Sequence, residues 1–216
     1  MQVNQFFIIG NTTLPSSWVA LLLAFAITFV IIRFRFGKRI SGMLMDSMFY
    51  FILVWKLSVI LTDFTNVIKS PLSIIYFNGG QIGFYLGLIA GLLSIVIELK
   101  KNGLHKFEKL ALFLGYVTIQ SVFQLAMVLL NEGPMTAKYV TMIMFTLILL
   151  LFWTYTPKVE NDFNQFALLF ATSHFFTMLF QPSSYINDSF FTTIIVTVFV
   201  IFLGQNEKIN RRDKVE

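Results

Sequence analysis

His174 sits in the middle of an apolar run, beside Ser173 and Thr172. It is the one side chain inside such a run whose unperturbed pKa suits proton transfer near neutrality. A lone histidine there is also the usual form of a hydrogen-bonded packing group. Lys56 lies about two thirds of the way along a second apolar run. Two readings of it stand: its four-carbon stem carries the charge out to the headgroups, or the ammonium holds a lipid phosphate. Asp63 is two helical turns away, too far along one helix to neutralise it. Tyr116, Gln120 and Gln124 recur at four-residue spacing and form one polar stripe, with Asn131 and Glu132 beyond its end. Such a stripe serves as interhelical hydrogen-bonding glue in preference to substrate contact. Gly79, Gly80, Gly83, Gly87 and Gly91 place small residues at helical spacing, which lets a neighbouring backbone or a lipid chain approach closely. Close helix packing is the preferred reading. No G-x-S-x-G, H-E-x-x-H or paired intramembrane Asp occurs, so serine and metal hydrolysis have no support.

These residues must be positioned by membrane-spanning elements. Of the 216 residues 56% are hydrophobic and 12% charged, against about 25% charged in soluble domains. This excludes a soluble domain, a disordered chain and a nucleic-acid binder. With no cysteine, disulfide exchange, thiolate catalysis and cysteine metal sites are excluded too. No metal and no cofactor is expected. The apolar runs predict seven spans, at Leu14–Ile32, Met43–Leu61, Ile82–Leu99, Leu110–Leu130, Tyr139–Tyr155, Phe163–Phe180 and Phe190–Leu203. Continuous rather than alternating runs mean helices, not a barrel. The fold class is therefore all-α: a polytopic membrane protein with seven transmembrane helices, forming a single transmembrane domain over 1–216.

Orientation follows from the cations. Of the 16 Lys and Arg, 13 fall after spans one, three, five and seven. They are Arg33, Arg35, Lys38, Arg39; Lys100, Lys101, Lys106, Lys109; Lys158; and Lys208, Arg211, Arg212, Lys214. The other side holds only Lys69 and Lys138. Positive charge stays cytoplasmic, which predicts the N-terminus outside and the C-terminus inside. The first span is not read as a cleaved signal, because no basic residue precedes it. The segment Pro71–Gly80 is apolar but too short to cross, and either lies along the outer interface or re-enters and turns at Gly79-Gly80. His105, within the basic inner loop, is read as solvated.

The order of these features resembles the prolipoprotein diacylglyceryl transferase family. The closest stretch is Ser70–Ala111, SPLSIIYFNGGQIGFYLGLIAGLLSIVIELKKNGLHKFEKLA. It is similar to that family's apolar lead-in, W-x-G-G, H-G-G-L-I-G helix and basic inner loop. Trp18 stands where the family has Trp-Tyr-Gly, and Phe49-Tyr50 fits the start of its second helix. Tyr139 fits the tyrosine of its outer Leu-Tyr-Glu, and His174-Phe175-Phe176 fits its Arg-Phe-Phe. The resemblance implies a seven-span, N-out/C-in fold that binds phospholipid in the bacterial plasma membrane.

The family's charged residues are mostly replaced. Its Trp-Tyr-Gly reads Trp18-Val19-Ala20, and its catalytic histidine falls on Phe84 or Tyr85. Of G-R-x-G-N-F-x-N-x-E only Asn131 and Glu132 remain, and its C-terminal Arg-x-x-x-Glu-x-x-Arg becomes His174, Met178 and Gln181. The outer head is reduced to Gly133–Ala137. Activating a thiolate beside a phosphoglycerol headgroup needs cations and a proton acceptor. The resemblance therefore implies a divergent, non-catalytic or accessory factor in lipoprotein or envelope biogenesis. It would bind phospholipid through Lys56, Gly79, Gly80, Gln120, Gln124, Asn131, Tyr139 and Gln181. Its partners would be membrane phospholipid and a lipoprotein precursor or another membrane protein. The alternative is an active transferase of a diacylglyceryl or acyl group using His174, Glu132 and Lys56. A small-solute transporter is disfavoured by the lack of repeats.

Overall fold

The computed structural model describes residues 3–9, 12–72, 74, 77–102, 106–155, 163–181 and 188–212. The chain is mostly helical, but it opens on a two-stranded antiparallel hairpin that the all-α expectation lacked. Strand β1 (Phe6–Ile9) pairs with β2 (Thr12–Pro15) in the register Phe6↔Pro15, Phe7↔Leu14 and Ile8↔Thr13. The apolar run had placed Leu14 in the first helix. A residue preceding proline is pushed out of the helical region, so Leu14 is extended and the helix starts after Pro15.

Eight helices follow among the described residues: α1 (Ser16–Leu57), α2 (Val59–Thr62), α3 (Phe64–Lys69), α4 (Gly80–Asn102), α5 (Lys106–Leu130), α6 (Met135–Thr154), α7 (Phe163–Met178) and α8 (Asp188–Arg212). Among the described residues, four stretches are long and apolar enough to cross a membrane: Ser16–Thr62, Gly80–Lys101, Phe107–Leu130 and Met135–Thr154. The first two expected spans therefore share one 47-residue stretch. It is broken at Gly37, where φ is 83° and ψ is −172°, a conformation that glycine adopts without strain. Helix α7 has 16 residues, about 24 Å of rise, and the apolar part of α8 is Asp188–Leu203. Both fall short of that length. Large apolar side chains such as Leu22, Phe34, Leu147, Leu150 and Val198 are exposed on these helices. Apolar surface on this scale suits lipid rather than water.

Two compact units divide the chain. The first holds Met1–Thr28 and Lys109–Glu216. In it, the start of α1 packs Ala20 against Ala126 and Met127 of α5, flanked by Phe123 and Leu130. Rings of α5, α6 and α7 fill its centre. Phe113 meets Phe152 at 5.6 Å and Phe163 at 4.9 Å, and Phe170 meets Phe152 at 6.2 Å and Phe145 at 6.4 Å.

The second unit is Phe29–Glu108. Its α4 runs antiparallel to the end of α1, and the glycine stripe is the seam. A Cβ on Gly91 would meet Ser47, one on Gly87 would meet Phe51 and Trp55, and ones on Gly83 and Gly79 would meet Ser58. Close backbone approach is thus the structural use of this spacing. Ser47 Oγ donates to the Gly91 carbonyl at 2.9 Å, and Gly79 N–H donates to the Trp55 carbonyl at 3.2 Å. At the basic end, Arg39 pairs with Glu108 at 3.0 Å, and the tilted rings of Phe36 and Phe107 lie 5.2 Å apart.

Candidate functional site

Gln120 and Gln124 of the polar stripe on α5 become the middle of a buried hydrogen-bond network in the first unit, while Tyr116 packs its ring edge-on to Phe170 at 5.9 Å. Gln120 and Gln124 each donate from Nε2 to Ser189 Oγ at 2.6 Å. Gln120 Nε2 also reaches the Ser189 carbonyl at 3.3 Å. Ser189 lies in the first turn of α8, one turn before Thr193. Thr193 Oγ1 donates back to the Ser189 carbonyl at 3.2 Å and meets His174 Nδ1 at 2.7 Å. The other imidazole nitrogen, Nε2, lies 3.3 Å from Gln124 Nε2. One proton arrangement uses both ring nitrogens: Nδ1–H donates to Thr193, and Nε2 accepts from the Gln124 amide, whose Oε1 has no partner among the described residues. The imidazole is then neutral, with both nitrogens used.

Nothing reaches this ring from outside. His174 is 0% exposed, and Phe145 and Phe190 stand edge-on to it at 5.3 and 5.7 Å. The stripe therefore ties α5 to α7 and α8, and its chemistry is that of a buried polar lock. Sequence reasoning missed Ser189 and Thr193. Serine and threonine are common in membrane helices, and these two lie 69 and 19 residues from the groups they bind.

Asn131 forms a second centre. Its Oδ1 accepts from Asn4 N–H at 2.9 Å, Gln5 N–H at 3.3 Å and Ser16 Oγ at 2.7 Å, while Nδ2 donates to the Met127 carbonyl at 3.0 Å. Glu132, by contrast, takes part through its backbone. Its carbonyl accepts from Asn4 Nδ2 at 2.8 Å, and its N–H donates to Asn4 Oδ1 at 3.0 Å. The Glu132 side chain is exposed. It lies eight residues beyond Gln124, about 12 Å along a helix axis, so Glu132 and the sealed His174 occupy different environments.

The remaining residues are dispersed. Gln181 is buried and donates from Nε2 to Thr141 Oγ1 at 3.2 Å, which links the end of α7 to α6. Tyr139, in the first turns of α6, is 62% exposed. Lys56 belongs to the second unit, half-buried in the last turn of α1, where a cation is favoured by the helix dipole. Gly79 is consumed by the helix seam. Gly80 has φ +58° with open space around it, and its carbonyl accepts from Trp55 Nε1 at 3.1 Å. His105, Lys158 and most of Gln181–Ser189 lie outside the described residues, as do Ser73, Ile75 and Tyr76 of the Pro71–Gly80 segment. No protein-family model, no curated protein and no solved structure matches the chain.

Proposed function

We propose that the chain is a divergent, transferase-like integral membrane protein that binds phospholipid and acts without group transfer, as an accessory factor in lipoprotein or envelope biogenesis. The observation that carries the non-catalytic reading is the enclosure of His174, with both ring nitrogens occupied and no exposed edge. A general base must reach the proton that it abstracts. The active alternative, transfer of a diacylglyceryl or acyl group through His174, Glu132 and Lys56, needs His174 and Glu132 in one environment. Their separation favours the accessory role. Lys56 is the lipid-headgroup candidate. It shares the end of α1 with the Trp55 ring, a pairing suited to the membrane interface.

The test has two arms. In a bacterial strain lacking the transferase, this chain alone is expected to leave prolipoproteins unlipidated. Efficient lipidation would overturn the reading. Lys56→Met keeps the stem and removes the charge, forfeiting about 1.5–3 kcal/mol of charge-assisted hydrogen bonding to a phosphate. Mass spectrometry of lipids co-purified in mild detergent is expected to show loss of anionic phospholipid with the fold intact. Equal lipid content in variant and wild type would make Lys56 a solvated flank.

The proposed topology has seven spans in the bacterial plasma membrane, N-terminus outside and C-terminus inside. It counts Ser16–Thr62 as two spans joined at Gly37, and the two shorter helices α7 and α8 as one each. Support comes from Arg33, Arg35, Lys38 and Arg39, which cluster about the Gly37 break. Because the protein has no native cysteine, single replacements report cleanly. A cysteine at Gly133 is expected to react with an impermeant maleimide in intact cells, and one at Asn102 only after lysis. Labelling at Asn102 in intact cells would reverse the arrangement.

A further inference from the structure

The N-terminal hairpin exposes an apolar face. Phe6 is 61% exposed and Ile8 77%. They lie two residues apart on one strand and so share one side of the hairpin. Thr13, paired with Ile8, is exposed on that side as well. Residues 1–32 contain no charged side chain. A water-facing strand of this kind ordinarily carries lysine or another charge as protection against edge pairing.

Its position identifies what covers it. The hairpin leads into Ser16, the first residue of α1, and Asn131 and Glu132 bind Asn4 and Gln5 at the far end of α5. Trp18 lies two residues inside α1, and Tyr139 four residues inside α6. These aromatics are about 3 and 6 Å along their helices, at the depth of an interfacial aromatic belt. Below them the exposed side chains of α1, Leu22, Leu23 and Ile27, are apolar. The exposed apolar side chains of the hairpin and of α1 thus follow one another along an uncharged stretch of chain. Strand pairing also satisfies backbone groups that lipid would not.

We infer that the hairpin is an interfacial anchor, with Phe6 and Ile8 inserted at the headgroup–acyl boundary of the leaflet that meets the N-terminal end of α1. The occupant of this face is a lipid surface, not a second protein. Anchoring there also fixes the depth of the Asn131 clasp.

Spin labels on single cysteines of the full-length protein test this. Phe6→Cys and Ile8→Cys would be labelled in vesicles of phosphatidylcholine and phosphatidylglycerol, with Gly133→Cys as the exposed reference on the loop between α5 and α6. Collision with oxygen, which concentrates in lipid, is compared with collision with a water-soluble nickel chelate. The expected result is an oxygen-to-nickel ratio severalfold higher at positions 6 and 8 than at 133. Because either replacement trims the apolar face, the two sites must agree, with helical content unchanged by circular dichroism. Ratios equal to that at Gly133 would overturn the anchor. So would spin–spin broadening between labels on different protomers, which would assign the face to a second copy.

Discussion

Gly87→Ala is expected to separate α1 from α4 and to lower the thermal midpoint of the detergent-solubilised protein by several degrees. The new Cβ would stand 2.6 Å from the Phe51 carbonyl oxygen and 3.2 Å from Trp55 Cβ. A backbone oxygen cannot rotate away as a side chain does, so the helices themselves must move. Overpacking of this kind costs about 1–3 kcal/mol, and in lipid no hydrophobic force drives the displaced helices back together. Two further replacements give the scale. At Gly91 the nearest atoms are Ser47 O at 3.0 Å and Ser47 Oγ at 3.1 Å, so Gly91→Ala should cost less. Nothing lies within 4 Å of a Cβ on Gly42, and Gly42→Ala should stabilise its helix by roughly 1 kcal/mol through propensity alone. Melting curves of the three variants that fail to rank in this order would mean that the seam is not the glycine stripe.

Asn131→Leu is expected to release the hairpin. Leucine keeps the γ-branched shape of asparagine with bulkier ends, and the acceptor for Asn4 N–H, Gln5 N–H and the fully buried Ser16 hydroxyl disappears. Leaving a buried donor unmade costs about 1–3 kcal/mol, and the two less buried amides add to that. Hydrogen exchange should show the amides of residues 4–9 losing protection while α5 and α6 keep theirs. Asn131→Asp retains the acceptor and, with its carboxyl protonated, can also donate to the Met127 carbonyl in place of Nδ2, so the comparison is made at a pH low enough to keep this buried group neutral. Hairpin protection should then survive. If the two variants behaved alike, the clasp would owe its strength to Asn4 and the Glu132 backbone instead.

What the sequence conveyed follows from how few patterns lipid permits. Apolar runs of helical length mark where the chain can cross. The glycines at positions 83, 87 and 91 could be read as a packing seam, since only helix geometry aligns every fourth residue. The Gln120–Gln124 stripe was readable as interhelical glue for the same reason. Its partners were not, because which serine meets which glutamine depends on the rotation of α8 about its axis, and spacing along one helix carries no information about another. Asn131 looked like a polar residue at a span end, and its three donors come from residues more than a hundred positions earlier. The hairpin escaped for a different reason: Phe6–Ile9 and Leu14 are as apolar as the helix that follows, so hydropathy alone could not separate strand from span.

The network joining Gln120, Gln124, Ser189, His174 and Thr193 also has an evolutionary consequence. In a bilayer a phenylalanine turned towards lipid loses little by facing lipid on another side, so apolar faces select one rotation of a helix only weakly. Directional contacts select it strongly. Phenylalanines on outward faces, such as Phe34, Phe175 and Phe202, are therefore free to drift among Phe, Leu, Ile and Met, while these five positions bear joint constraint. In a library of random substitutions, tolerated changes should crowd onto the phenylalanine-rich surfaces, and replacements within the network should survive only as compensating pairs.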